Sequence, residues 1–247
     1  MRRRTILTGL ASLAATPVLA QTAAPAAPTP APAAPPKPAT PAAAAPAGAA
    51  PAPAAPPAKP VLPKPVDGPA EAPVMPGWTR INMTTPHGVI TIDLAVEKAP
   101  ISAKNFLRYV DNKRYDGGTF YRASRTKGFE DSMGMLQGGC ETPYPPIAHE
   151  PTTKTGLSHT DGAISLGRYK PGSAAEDFFI CIGDQSGLDA DPSQPGDNLG
   201  FACFGYVTGG MAVVKKILQM PRSPTKGVGH MKGEMLEPKV PINRVRR

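Results

Sequence analysis

The chain has 247 residues, a formal net charge of +8 and 33 prolines. Nineteen of those prolines fall between Pro25 and Pro76, in a stretch of little but Ala and Pro, which lacks the large apolar side chains needed to offset the entropy of ordering a core. That excludes one continuous domain. From Gly77 onward 21 Lys and Arg face 17 Asp and Glu, with no basic tract interleaved with aromatics, so nucleic acid is not an expected partner.

Residues 1–20 read as a signal peptide. Arg2, Arg3 and Arg4 form a basic start, Ile6 to Val18 is a short Ala-rich apolar run, and Val18-Leu19-Ala20 is a small-x-small cleavage site. The run is too short to span a bilayer, so no stable membrane insertion is expected after cleavage. Arg3-Arg4-Thr5-Ile6-Leu7 also fits a twin-arginine pattern, and the Sec and twin-arginine routes both stay open. Either route places the mature chain in the periplasm. Residues 21–76 read as a disordered Ala/Pro-rich tether, extended at about 3.1 Å per residue where it is polyproline-like. A low-complexity insert without a selected length is the alternative.

Residues 77–247 are long enough for one domain with a sizeable core. Arg80 to Thr84 alternates, Pro86-His87-Gly88 is a turn, and Val89 to Leu94 completes an opening hairpin. A helix is expected from Pro100 or Ile101 to Asp111-Asn112, with Phe106, Leu107 and Val110 on one face. Phe120-Tyr121-Arg122, Gln137-Gly138-Gly139 and Asp177-Phe178-Phe179-Ile180 fall on what read as three separate strands, and Ala163 to Leu166, Phe178 to Ile182 and Ala202 to Val207 read as apolar strands. A second helix runs from Met211 to Leu218, and the alternation from Val240 to Val245 closes the sheet. The fold class is mainly β: a closed antiparallel eight-stranded barrel capped by two helices.

Cys140, Cys181 and Cys203 show no zinc spacing, and two of them sit in apolar runs, as small buried hydrophobes do. Asp184, Asp189, Asp191 and Asp197 lack calcium-loop spacing and read as a solvated acidic loop. His149-Glu150 and His159 are not at metal-ligand spacing, so turn hydrogen bonds are expected of them, and no metal site or cofactor is expected. Ser165 has no His and Asp set around it in the sequence from which to read a hydrolase triad.

A fixed cation, an amide and an aromatic ring on three strands suit one kind of chemistry. Rotation about a peptide bond is opposed by a resonance barrier of roughly 18–20 kcal/mol. X-Pro bonds isomerise slowly enough to limit folding. The transition state is a twisted amide with a pyramidal proline nitrogen, and a site needs only to bind that form better than the planar ones. An arginine offers permanent charge and fixed donors.

The order and spacing of Phe120-Tyr121-Arg122, Gln137-Gly138-Gly139 and Asp177-Phe178-Phe179-Ile180 resemble the signature of the cyclophilins, the peptidyl-prolyl cis/trans isomerases, over the C-terminal two-thirds of the chain. The resemblance implies the barrel architecture and makes Arg122 the catalytic hydrogen-bond donor. It implies substrate contacts for Met135, Gln137, Gly167, Arg168, Asp177, Phe179, Leu188 and Phe201. Gly134 stands where many members have Phe, Arg168 at a usual Asn, Asp177 at a usual Gln and Phe201 at a usual His, while about seven extra residues enlarge the loop Ala123 to Met133. Phe129 on that loop is a candidate to replace the missing ring, and Asp177 a candidate partner for Arg122 or Arg168. Some exported bacterial members look similar. The expected partners are unfolded or partly folded polypeptides containing X-Pro, met by a monomer. The competing expectations are a proline-peptide binding or chaperone module with weak catalysis, and a structural role for the Ala/Pro arm.

Overall fold

The structure, a computed structural model, describes residues 73–195 and 197–247. The signal-peptide expectation and all but the end of the tether lie outside the described residues.

Nine strands make one antiparallel sheet: β1 (Thr79–Thr85), β2 (Gly88–Leu94), β3 (Thr119–Arg125), β4 (Gly134–Gly139), β5 (Ala163–Leu166), β6 (Phe178–Ile182), β7 (Ala202–Gly209), β8 (Met235–Pro241) and β9 (Arg244–Arg246). The helices are α1 (Pro100–Asp111), the single turn α2 (Thr152–Thr155) and α3 (Met211–Leu218). Strand order is β8-β3-β4-β6-β5-β7-β2-β1-β9. β1, between β2 and the short β9, buries Ile81, Met83 and Thr85 in alternation, whereas β5, β6 and β7 are buried on both faces and read as unbroken apolar runs.

The eight expected strands become nine because the last one divides. Val240 on β8 pairs with Phe120, while Val245 on β9 pairs with Met83 at the opposite end of the sheet. Only Ile242 and Asn243 separate the two. Ile242 N–H donates to the Gly118 carbonyl at 2.7 Å and Asn243 N–H to the Thr84 carbonyl at 2.9 Å, so the chain crosses between the two ends of the curled sheet within one residue.

Inside the curl, Phe106 on α1 meets the Phe178 ring edge-on at 5.4 Å and the Phe204 ring at 5.3 Å, and Tyr115 and Phe120 pack edge-on against Phe178. α1 starts at Pro100, where a missing N–H is harmless, but no local side chain caps it. Glu150 does so from 49 residues away: its carboxylate accepts from Ile101 N–H at 3.2 Å and Ser102 N–H at 2.9 Å. The hydrogen bonds expected of His149-Glu150 therefore reach well beyond a turn, and His149 Nε2 lies 2.9 Å from the Leu199 carbonyl.

Candidate active site

Strand register assembles the site. Arg122 on β3 lies opposite Gln137 on β4, Gln137 opposite Phe179 on β6, and Phe179 opposite Ser165 on β5. Residues directly opposed across a ladder share a face. Leu136, Phe178 and Ile180 are wholly buried in the core, so their neighbours Gln137 and Phe179 project from the other face, with Met135 two residues along β4 beside them. A register irregularity between Phe120, which is in the core, and Arg122 turns Arg122 to the Gln137 face.

Arg122 has a largely buried side chain, 13% exposed. Its Nη1 donates to Gln137 Oε1 at 3.0 Å. Its Nε donates to Glu234 Oε2 at 2.8 Å, and Nη2 lies 2.7 Å from the same oxygen. Asp177 is thus not its partner, nor that of Arg168. The Asp177 carboxyl instead occupies the space where a side chain at Gly139 would begin, against Gly167, whose N–H donates to the Asp177 carbonyl at 2.8 Å. Gln137 Nε2 borders the same spot. Burial, reinforced by the neighbouring Glu176 charge, pushes the Asp177 carboxyl up to about 6, against the pull of a hydrogen bond from Tyr121. Burial and the Asp177 charge likewise hold the Tyr121 hydroxyl well above the usual phenol range, so it stays a donor.

Two rings pack against Phe179. His159 stacks on one side with ring centres 6.0 Å apart, and Phe201 meets it edge-on at 5.3 Å. Arg168 is spent on holding this wall. Its Cζ sits 5.2 Å from the centre of the Phe201 ring, its Nε donates to the Gly200 carbonyl at 2.8 Å, and its Nη1 pairs with Asp197 at 2.7 Å. Leu188, at the end of a 3-10 turn, accepts the Phe201 N–H at 3.0 Å and packs on the same core.

The structure reverses three expectations. Phe129 does not replace the missing ring: it is 58% exposed at the tip of the loop, whose Glu130 carbonyl is held by Gln219. The loop itself is shorter than expected, because Ala123, Ser124 and Arg125 stay in β3, fixed by Ala123 N–H to the Glu234 carbonyl and by Arg125 to the Leu218 and Met220 carbonyls. Gly134 has a packing cause: any Cβ there would run into the Ser124 carbonyl oxygen.

Third, Ser165 does have a His and an Asp around it. His159 Nε2 lies 3.0 Å from Ser165 Oγ and Nδ1 lies 2.6 Å from Asp189 Oδ1, which also accepts the His159 N–H, while Ser158 donates to Asp189 Oδ2. Burial works against the Asp189 carboxylate, but the bonds from His159 and Ser158 outweigh it and hold its pKa below the ordinary range. His159 and Ser165 are wholly buried, so the hydroxyl faces no carbonyl substrate and the chain serves as a stiff floor behind Phe179. In the acidic loop, Asp184 bonds the Ser186 N–H and Asp191 the Ser193 N–H, while Asp189 and Asp197 are engaged as above. Among the described residues all three cysteines are free.

The comparisons agree with this picture. The profile of the family described as cyclophilin type peptidyl-prolyl cis-trans isomerase/CLD matches residues 80–247, and the chain belongs to that family. It is therefore a peptidyl-prolyl cis-trans isomerase whose substrates are proline-containing peptides. A peptidyl-prolyl cis-trans isomerase of Acinetobacter baylyi is 38% identical over 151 residues, covering 59% of this chain and 74% of the relative. Peptidyl-prolyl cis-trans isomerase A of Dickeya dadantii is 35% identical over 159 residues, covering 61% and 75%. In structure, a cyclophilin-type isomerase of Cryptosporidium parvum, solved in the presence of the dipeptide Ala-Pro, matches 68% of this chain and 97% of its own with a TM-score of 0.53 at 18% identity, a likeness of fold.

Glu234 carried no signal in the sequence. It lies 112 residues beyond Arg122, just before a strand whose N-terminal half shows little alternation.

Proposed function

We propose that this isomerase acts on X-Pro bonds of unfolded or partly folded polypeptides outside the cytoplasm, with Arg122 as the hydrogen-bond donor to the twisted amide. One observation carries the reading: a largely buried guanidinium held beside Gln137, on the same sheet face as Met135 and Phe179. Phe179, walled by His159 and Phe201, supplies the apolar contact for a proline ring, with Met135, Leu188 and Phe201 around it. Gln137, and the Gly167 backbone beside Asp177, receive the peptide on either side of the proline. As the amide twists, its nitrogen gains a lone pair, which an N–H of Arg122 binds in the transition state and not in the planar forms. No proton changes hands and no covalent bond forms.

Arg2 to Arg4 and the apolar run after them support export to the periplasm by the Sec or twin-arginine route, and the Ala/Pro arm then acts as a tether for a monomeric domain. The test is refolding of an exported protein whose slow phase is limited by a proline. The full chain is expected to accelerate that phase in proportion to its concentration, and Arg122→Ala to cut the acceleration about 100-fold. Binding to the unfolded client with no change in the slow phase would instead support the binding-module reading.

A further inference from the structure

Arg122 carries five N–H donors in a rigid planar fork. Glu234 Oε2 takes Nε at 2.8 Å and Nη2 at 2.7 Å, and Gln137 takes one hydrogen of Nη1 at 3.0 Å. One N–H on each terminal nitrogen is left without a partner among the described residues. Glu234 is itself anchored: Ser124 Oγ donates to its Oε1 at 2.8 Å, its backbone carbonyl accepts Ala123 N–H at 2.9 Å, and its N–H donates to the Met231 carbonyl at 3.1 Å. The carboxylate is thus fixed from both ends against the strand that bears Arg122.

We propose that Glu234 is a positioning residue for Arg122, holding the guanidinium so that its two remaining N–H groups stay turned to the substrate amide. The inference rests on the reading of Arg122 as the donor. Gln137 grips a single N–H, which leaves a long side chain free to rotate. Glu234 grips two on the opposite edge and removes that freedom before substrate arrives, the pre-organisation on which electrostatic catalysis depends. The ion pair also draws down the field of the cation. The amide acquires a lone pair rather than a net charge, so the direction of the donor outweighs the lost field.

Two substitutions separate orientation from charge. Glu234→Gln keeps an acceptor oxygen for Nε and Nη2 and removes the charge. Glu234→Ala removes both. Line-shape analysis of an Ala-Pro peptide, using the full chain, gives kcat and KM. Glu234→Ala is expected to lose about tenfold in kcat with KM within about twofold, and Glu234→Gln to recover to within about threefold of the parent. The Arg122 Nε–H resonance, sharp and slow to exchange in the parent and in Glu234→Gln, is expected to be lost in Glu234→Ala. In an Arg122→Ala background Glu234→Ala is expected to change nothing further. Ser124→Ala, which only unties Oε1, serves if Glu234→Ala does not fold, and is expected to lower kcat about twofold to threefold.

Parent-level kcat in Glu234→Ala and Ser124→Ala, beside a strongly impaired Arg122→Ala, would overturn the inference alone. So would an equal loss with and without Arg122, or Glu234→Gln as impaired as Glu234→Ala. An Arg122→Ala variant as active as the parent would sink the donor assignment itself, and the inference with it.

Discussion

Asp177→Asn isolates a single charge at the rim of the site while keeping shape and an acceptor oxygen. The Asp177 carboxyl has been raised from 3.8 to about 6, by burial first and the Glu176 charge second, with the Tyr121 hydrogen bond opposing them. The folded state therefore holds this proton more tightly than the unfolded one. The group's contribution to stability is greatest below about pH 4 and is lost as pH rises through about 6. A shift of two units at full weight corresponds to about 3 kcal/mol. Because the side chain is only partly buried, solvent screening cuts this to roughly 1–1.5 kcal/mol. Removing the charge should therefore make Asp177→Asn more stable than the parent by about 1 kcal/mol at pH 7.5, a rise of roughly 2–4 °C in Tm. At pH 4.5 the two should nearly coincide. Thermal unfolding at both pH values checks this, and kcat/KM is expected to lose an inflection near pH 6 in the variant. A stability difference independent of pH, or a variant less stable at pH 7.5, would show that the Asp177 charge does not destabilise the fold.

Glu150→Ala strips α1 of its remote cap and leaves two N–H groups, one of them buried, without an acceptor, so urea unfolding should show a loss of about 2 kcal/mol with an unchanged m-value. Arg168→Ala releases Asp197, the Gly200 carbonyl and the Phe201 ring together; peptide titration should show about fivefold weaker binding with kcat nearly preserved. Burial pushes the Cys203 thiol up to about 12 and the Cys181 thiol well above its usual range, so a thiol reagent at pH 8 should reach at most Cys140 in the native protein and all three after denaturation.

Elements with a repeating pattern were legible in the sequence. The opening hairpin, α1, α3 and strands β5 and β6 begin and end within a residue or two of expectation, the hairpin and helices because their burial follows local periodicity, β5 and β6 because each is a short apolar run. The row Arg122, Gln137, Phe179 was legible too, since three motif-bearing strands pair in register. What stayed hidden depends on contacts far apart in sequence. Nothing local shows that β8 and β9 would serve opposite ends of the sheet, that Glu150 would cap a helix behind it, or that Glu234 would take two N–H groups of Arg122. The Asp177 side chain pairs with Tyr121 rather than with an arginine because both arginines are already held, Arg122 by Glu234 and Arg168 by Asp197. The buried His159–Ser165 contact spans six residues, but Asp189, which completes the chain, arrives from a loop 30 residues on.

In the proposed chemistry a donor on Arg122 stabilises the twisted amide. The most direct test is cis/trans exchange of an Ala-Pro peptide by NMR at saturating full-length protein, comparing the parent with Arg122→Ala. Exchange is expected to be about 100-fold slower in the variant, with peptide affinity changed by less than about threefold. Exchange in Arg122→Ala within about twofold of the parent would contradict that chemistry.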